Sequence, residues 1–535
     1  MNRIILSLAI AIMVFGCKRS SYMDDLVSDQ TKTSIKTIKP LVLEPKPEVN
    51  EPAQAEPNAP APATQVITLE QCRALALENN LELKAQLIAP TLAQESLNQE
   101  RAKFEAAFSS GINYYKGDSP SLSRLESNQQ DQMTITTGIA APLVTGGTAS
   151  LNTTDNRWHS DNPFVNLDTS YSPRAAMSLT QPLLQGGGQK TAKYSIRIAG
   201  LNQAQTQAQT KLEVIRIVAA MDRVYWRLYA AQKTLDVREQ QLELAQNQLT
   251  KAENQVNAGI SAPVEIVRAQ AGVAQQAEAI IVAQNTLADR QRSLKRVINK
   301  AGLAMQTRTK MVPDTEPVPV AYALDPNRML TSAFKHRMEL LQYELQLLQD
   351  DQTIDYLKNL SLPVATMNYT YNVRGLGATR DESYDLLRES RFADHTMGLS
   401  MRIPLGNAAA KSRVRRAKYE KLQRLITRKN RKSLIEYEVL NALDQVETNW
   451  QRIMASQQNT VLSNLVYEAE KRQFEQGLRT STDVLDAQTT LANAQLSELS
   501  ALVEYQISLV DLAYATGTLL GAAQVEWDPI VPVIQ

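Results

Sequence analysis

Aromatic residues make up only 5% of this 535-residue chain, and glycine appears just 20 times. Neither scarcity suits a string of compact globular domains, although the length would allow several. Ala, Gln and Leu instead fill long stretches without punctuation, the profile of long helices with narrow apolar seams. Charge of one sign is missing as well. The formal net charge is +1 and no basic run is interleaved with aromatics, so nothing points to nucleic acid. The three histidines, His159, His336 and His395, are scattered, and none is near a Cys, Asp or Glu arrangement with ligand spacing. No Walker-type loop, nucleophile elbow or HExxH occurs. Gly186-Gly187-Gly188 precedes a helical pattern but lacks a following Lys-Ser/Thr, and reads as a junction. The expectation is a protein without catalytic residues, metal or cofactor.

Cysteine is nearly absent too, with Cys17 and Cys72 alone. Asn2-Arg3 form a short basic n-region, and Ile4 to Gly16 an apolar stretch too short to span a bilayer. The stretch ends in Val14-Phe15-Gly16-Cys17, which resembles a bacterial lipobox with Cys17 as the acylated residue. An ordinary signal peptide with an incidental cysteine is the alternative. Lys18 after Cys17 resembles outer-membrane rather than inner-membrane sorting. Residues 17–66 then turn polar and Pro-rich (Glu44-Pro45-Lys46-Pro47, Asn58-Ala59-Pro60-Ala61-Pro62) and read as a flexible tether. With Cys17 acylated no disulfide is available, and Cys72, in a helical pattern, is expected to pack.

The rest of the chain repeats itself. Leu69 to Leu83 has a counterpart around Ala333 to Leu340, both reading as a short helix and a turn. Asn257 to Gln270 parallels Glu475 to Gln488 over fourteen residues without a gap. A tandem duplication explains both pairs. Glu82 and Glu339 stand 257 residues apart, whereas Gly259 and Gly477 stand 218 apart, so the first half carries about 39 extra residues. Pro142-Leu143-Val144-Thr145-Gly146-Gly147 and Pro182-Leu183-Leu184-Gln185-Gly186-Gly187 are near-copies, against the single Pro404-Leu405-Gly406 of the second half. An additional β-hairpin in the first half is the expectation.

Strict alternation marks two strands in the second half. Ala365, Met367, Tyr369, Tyr371 and Val373 alternate with polar residues, and so do Met397, Leu399, Met401, Ile403 and Leu405. A polar loop, 374 to about 393, joins them. Runs of about ten such residues suit transmembrane β-strands, and a half-buried hairpin in a soluble domain has the same period. Weaker runs fall at about 107–115, 133–143, 147–154 and 174–183, each ending near Pro or Gly. Residues 188–256 and 407–475 hold no internal Pro and little Gly. At 1.5 Å per residue each reaches roughly 100 Å. Leu235, Leu242, Leu249 and Val256, with Ala245 and Ala252 between them, set a heptad seam. Gly259 and Gly477 stand where such helices reverse, and Thr480, Ser481 or Thr482 can cap the returning one, with Asp483 at its positive end.

This pattern resembles the TolC family of outer-membrane efflux and secretion channels, over roughly residues 67–522. The fold it implies is an α+β membrane protein. Two tandem repeats supply transmembrane β-barrel strands and a long coiled-coil barrel, shared among three protomers. The boundaries are a signal peptide (1–16), a lipidated tether (17–66), repeat one (67–305), repeat two (306–522) and a tail (523–535). The resemblance implies a passive exit duct in the outer membrane, working with a periplasmic adaptor and an inner-membrane pump of the RND or ABC type. It implies a gate where Asp483 and Asp486 ring the entrance, raising their own pKa values by repulsion. Arg479 and Glu265 are implied to hold the closed state. Pro263 and Val264 depart from the family's usual neighbours of that latch, and Phe474 stands where a tyrosine occurs. Gly259-Ile260 and Gly477-Leu478 resemble tips that dock the adaptor, and a local Schellman contact is the other reading of them. A trimer of this family has twelve strands, and six per protomer would make eighteen unless the extra hairpin folds outside the ladder. A periplasmic adaptor lipoprotein is the alternative function; adaptors carry one helical hairpin, and this chain has two.

Overall fold

A computed structural model describes residues 64–118, 120, 129–161, 164–307 and 309–526. The signal segment, Cys17, the tether up to residue 63 and residues 527–535 lie outside the described residues. The first half runs β1 (Thr64–Ile67), α1 (Leu69–Asn79), α2 (Leu81–Ala102), β2 (Ala107–Asp118), β3 (Gln129–Pro142), β4 (Thr148–Ser160), β5 (Thr169–Tyr171), β6 (Arg174–Pro182), α3 (Gln189–Ala192), α4 (Tyr194–Asn257) and α5 (Val264–Ile298). After β7 (Lys310–Pro313) the second half runs α6 (Pro326–His336), α7 (Met338–Leu360), β8 (Val364–Arg374), α8 (Arg380–Arg388), β9 (Ala393–Arg402), α9 (Ala408–Glu475), α10 (Ser481–Ala515) and α11 (Leu519–Ala522).

The tether read as ending at residue 66 gives way sooner. Thr64–Ile67 pair in parallel with Lys310–Pro313, and Ile67 enters the core. Four residues are too short a run to stand out beside the prolines. The Tyr225 hydroxyl of α4 clamps this small sheet, accepting from Thr315 N–H at 2.8 Å and donating to the Ile67 carbonyl at 3.3 Å. Tyr225→Phe is expected to lower stability by about 1–3 kcal/mol, because the Thr315 N–H loses its acceptor. Thermal denaturation followed by helical circular dichroism measures this, and an unchanged midpoint would remove the clamp from the account. At the other end, Val525 packs against the core cluster that includes Leu519 and Leu520, and its N–H donates to the Leu520 carbonyl, so the tail begins docked.

One seven-stranded sheet holds the long strands in the order β2-β3-β4-β6-β8-β9, with β5 on β4. The extra hairpin therefore continues the ladder. Every pair along the path is antiparallel, and the register sorts the side chains cleanly. Ile112 faces Ile135, Leu151 faces Met177, Leu179 faces Tyr369, and Tyr369 faces Met397, all on one side. Thr136, Thr154, Ser178, Thr370 and Thr396 occupy the opposite side, because successive residues alternate. Met177, Met397 and Leu399 are well exposed, so the apolar side has no partner among the described residues.

The polar loop read between β8 and β9 instead contains α8. Its start is a capping box, Thr379 with Glu382, a T-x-x-E signal that nine helical residues made easy to overlook.

At 64 residues α4 is about 96 Å long, using 1.5 Å per residue. Nearest the sheet, α2, α4, α7 and α9 lie side by side in that order; toward the hairpin tips the order is α9, α10, α4, α5. An α4 flanked on both sides needs two contact stripes, and this shifts the seam. Gln241, Ala245, Gln248 and Ala252 are its buried line, while Leu242, Leu249 and Val256 are only half-buried beside it. Small residues let the helices approach, and glutamines bridge them: Gln488 Nε2 donates to the Gln241 carbonyl at 2.8 Å.

The halves share their dimensions. α1 and α6 both have 11 residues, and α5 and α10 both have 35. At the α1–α2 turn, Asn80 Nδ2 donates to the Val297 carbonyl. At the α6–α7 turn, Arg337 Nη1 donates to the Ala515 carbonyl. Among the described residues no helix is long and apolar enough to cross a membrane.

Candidate functional site

Two reversals end the long helices, α4 into α5 and α9 into α10. At the first, Gly259 takes φ +73°, its N–H donates to the Val256 carbonyl, and Ile260 N–H donates to Gln255. At the second, Gly477 takes φ +75°, its N–H donates to Phe474, and Leu478 N–H donates to Gln473. Both are Schellman turns. The apolar contact that usually completes such a turn is missing, since its partner positions are Gln255 and Gln473. Ile260 and Leu478 stay 67% and 71% exposed.

Thr480, of the three candidates, caps α10. Its hydroxyl accepts from Asp483 N–H, while the Asp483 carboxylate accepts from Thr480 N–H at 2.9 Å and from its hydroxyl at 2.8 Å. These bonds, aided by Arg479 and Arg268, hold the Asp483 carboxyl below the usual carboxylate range. Within one chain the cap stabilises the charged form; the repulsion expected of a carboxylate ring acts between copies. Asp486, one turn on, is exposed.

Glu265 and Arg479 separate in role. Glu265, 8% exposed, joins the two reversals: one carboxylate oxygen accepts from Arg268 at 2.6 Å, the other from Ser481 N–H at 2.8 Å. Pro263 and Val264 do not prevent this bond; Pro263 is the N-cap of α5 and sets Glu265 in its first turn. Arg479 turns back to its own hairpin, with Gln473 and Glu470 each at 3.1 Å. Phe474 is buried among Tyr467, Val484, Ala487 and Leu491.

Sequence reasoning missed the other bonds between the hairpins. Lys251 pairs with Glu475, holding that carboxyl below its usual range, and Gln255 Nε2 donates to the Phe474 carbonyl at 3.2 Å. Gln248 Nε2 reaches Ser481 Oγ at 3.4 Å. Their signal was a seven-residue spacing of polar residues, Gln241, Gln248 and Gln255, on a helix already assigned an apolar seam. Cys72, in α1, is fully buried; desolvation first, then Asp222, pushes its thiol up to about 12. No group of three or more His, Cys, Asp or Glu suited to a metal occurs among the described residues.

Paired hairpins of this length beneath a two-faced sheet match known proteins. The family profile described as "Outer membrane efflux protein" matches residues 148–300 and 330–518. The chain belongs to the outer membrane efflux protein family. It is 22% identical to outer membrane protein TolC of Escherichia coli K12 over 357 residues, covering 65% of this chain and 70% of TolC. The fold is similar to the Campylobacter jejuni CmeC outer membrane channel (TM-score 0.61, 14% identity, 84% of this chain and 86% of that one). It is also similar to the open state of the Neisseria gonorrhoeae MtrE outer membrane channel (TM-score 0.58, 15% identity, 90% and 98%). This TolC-family protein is thus an outer-membrane efflux protein, of a transport family and not an enzyme family.

Proposed function

We propose that the protein is one of three identical protomers of an exit duct crossing the outer membrane and extending into the periplasm. A tripartite efflux pump or a type I secretion system would use it, through a periplasmic adaptor and an inner-membrane pump of the RND or ABC type. The single observation that carries this is the pair of unfinished edges. Among the described residues the sheet ends in unpaired β2 and β9, and the helical layer ends in α9 on one side and in α2 and α5 on the other. Each helical edge carries exposed apolar residues: Tyr419, Leu422 and Ile426 on α9, Leu81, Ile88 and Leu92 on α2. Unpaired backbone cannot stay open in lipid, so such edges close head to tail on further copies. A heat- and detergent-resistant trimer in outer-membrane fractions tests the reading; a soluble monomer sinks it.

The matched helix lengths and the matched bonds of Asn80 and Arg337 support two tandem repeats. Acylation of Cys17 would add a lipid anchor in the outer membrane. Exposed Ile260 and Leu478 suit adaptor docking, tip against tip. The periplasmic-adaptor reading would need a single helical hairpin, and two are present.

Threefold symmetry would gather Asp483 and Asp486 into six carboxylates at the entrance. Asp483→Ala combined with Asp486→Ala is then expected to reduce cation selectivity and weaken block by multivalent cations in planar bilayers. Within each copy the Thr480 bonds favour the charged form of Asp483, which opposes the mutual repulsion of six gathered carboxylates. Conductance unchanged in both selectivity and block would count against a gate at these residues.

A further inference from the structure

We propose that all six long strands of each copy enter one membrane barrel, giving eighteen strands in the trimer and an outer-membrane pore that passes bulky hydrophilic solutes of either charge. This rests on the trimeric duct reading and adds the width and lining of its membrane segment. The added unit is about forty residues, β2 and β3 with the turn after them, and it repeats β4 and β6. The family match in the first half starts at residue 148, the first of β4, leaving β1, α1 and α2 outside it together with that unit.

Three observations place the added hairpin in lipid beside the others. Its apolar side is continuous with theirs: Phe108 faces Ile139, Tyr114 faces Met133, and Ile139 in turn faces Leu151. Phe108, Ile112 and Tyr114 are 68%, 70% and 60% exposed, a cost in water that a lipid contact removes. The second observation is charge. No Lys, Arg, Asp or Glu lies in 107–115, 132–142, 148–154, 175–182, 364–373 or 395–401, so the charge-free zone crosses all six strands at one level. A hairpin lying outside the membrane would have no reason to share it. The third is direction. Six strands alternate from β2 to β9, so β9 of one copy meets β2 of the next antiparallel, and the apolar sides fall together.

Barrel diameter grows roughly linearly with strand number, so eighteen strands give about 1.5 times the width of twelve. The opposite side, facing the lumen, carries hydroxyls and carboxamides within that zone, such as Thr136, Asn152, Ser178 and Thr370. Such a wall hydrogen-bonds a passing solute without selecting its charge. Discrimination by charge is left to the hairpin tips.

Disulfide trapping between copies tests the strand order. Ser400→Cys in β9 combined with Ser109→Cys or Asn113→Cys in β2 should give a ladder of cross-linked copies on a denaturing gel after oxidation. Ser400→Cys combined with Ser150→Cys in β4 should give none. Cross-linking through β4 but not β2 overturns the proposal. Pore width is tested by excising residues 107–146, which joins Ala106 to Gly147. Neutral polyethylene glycols of graded size, added on the extracellular side of a planar bilayer, should enter the full-length pore up to about 1.5 times the radius admitted by the excised one. Equal size limits overturn the proposal. Absence of channels from the full-length protein would instead count against the duct reading. If the excised protein does not assemble, the cross-linking pattern alone decides.

Discussion

Replacing Arg337 with methionine is expected to destabilise the protein by about 3–5 kcal/mol, the loss typical of removing one partner from a buried ion pair. Arg337 is 4% exposed and lies at the turn between α6 and α7. Its guanidinium meets Glu339 at 2.8 Å and Glu438 of α9 at 2.6 Å, and donates to the Ala515 carbonyl at the end of α10. Without it two carboxylates share Arg431 alone, at 3.0 and 3.4 Å. Glu438 is about a third exposed and recovers some hydration, which favours the lower end of the range. Methionine fills the volume, so the loss reads the charge and not a cavity. Arg328→Met, at an arginine whose side chain is 87% exposed, is the control. Equal denaturation midpoints for the two variants would show that the cluster does not hold the three helices together.

Glu265→Ala is expected to have the largest effect on conduction. Ser481 is fully buried and its N–H has the Glu265 carboxylate as acceptor. Truncation strands that donor and frees Arg268, weakening the docking of the two hairpins by about 1–3 kcal/mol. Each 1.4 kcal/mol is about a tenfold change in equilibrium constant, so the ratio of open to closed channels should rise about 5- to 150-fold. Glu265→Gln keeps an acceptor for Ser481 and should recover most of the closed state. Single-channel recording separates the cases. Equal open fractions in Gln and Ala variants would mean that charge, and not the bond to Ser481, keeps the tips together.

Strands and long helices were legible because their signals are periodic and long. The six runs fall on β2, β3, β4, β6, β8 and β9, but the one on β4 ends at residue 154, short of Ser160, where Asp155 and Arg157 interrupt the alternation. What escaped is short or depends on two neighbours at once. β1 pairs with β7, some 246 residues away, and four residues announce nothing by themselves. The heptad seam of α4 holds at Leu235, Ala245 and Ala252, which are buried, whereas Leu242, Leu249 and Val256 are half-buried because a helix packed on both sides also buries Gln241 and Gln248. At the tips, residue types sufficed for the turns at Gly259 and Gly477 but left the N-cap of α10 open among Thr480, Ser481 and Thr482. The bond from Ser481 to Glu265 was not legible, since it joins the starts of two helices 216 residues apart.

The six-to-four ratio of strands to helices has a consequence in arc length. In the proposed barrel, strands about 4.8 Å apart and tilted by about 40° would each occupy about 6 Å around a circumference, so six would cover about 38 Å. The helices α2, α4, α7 and α9 beneath them, at about 9–10 Å spacing, cover about the same. Sheet and helical layer are therefore commensurate in each copy. A four-stranded sheet would span about 25 Å by the same spacing and force a taper at the junction. With six, the wall can pass from strands to helices at nearly constant radius, and the glycines and prolines at residues 142–147, 182–188 and 404–406 need only turn the chain, not gather it inward.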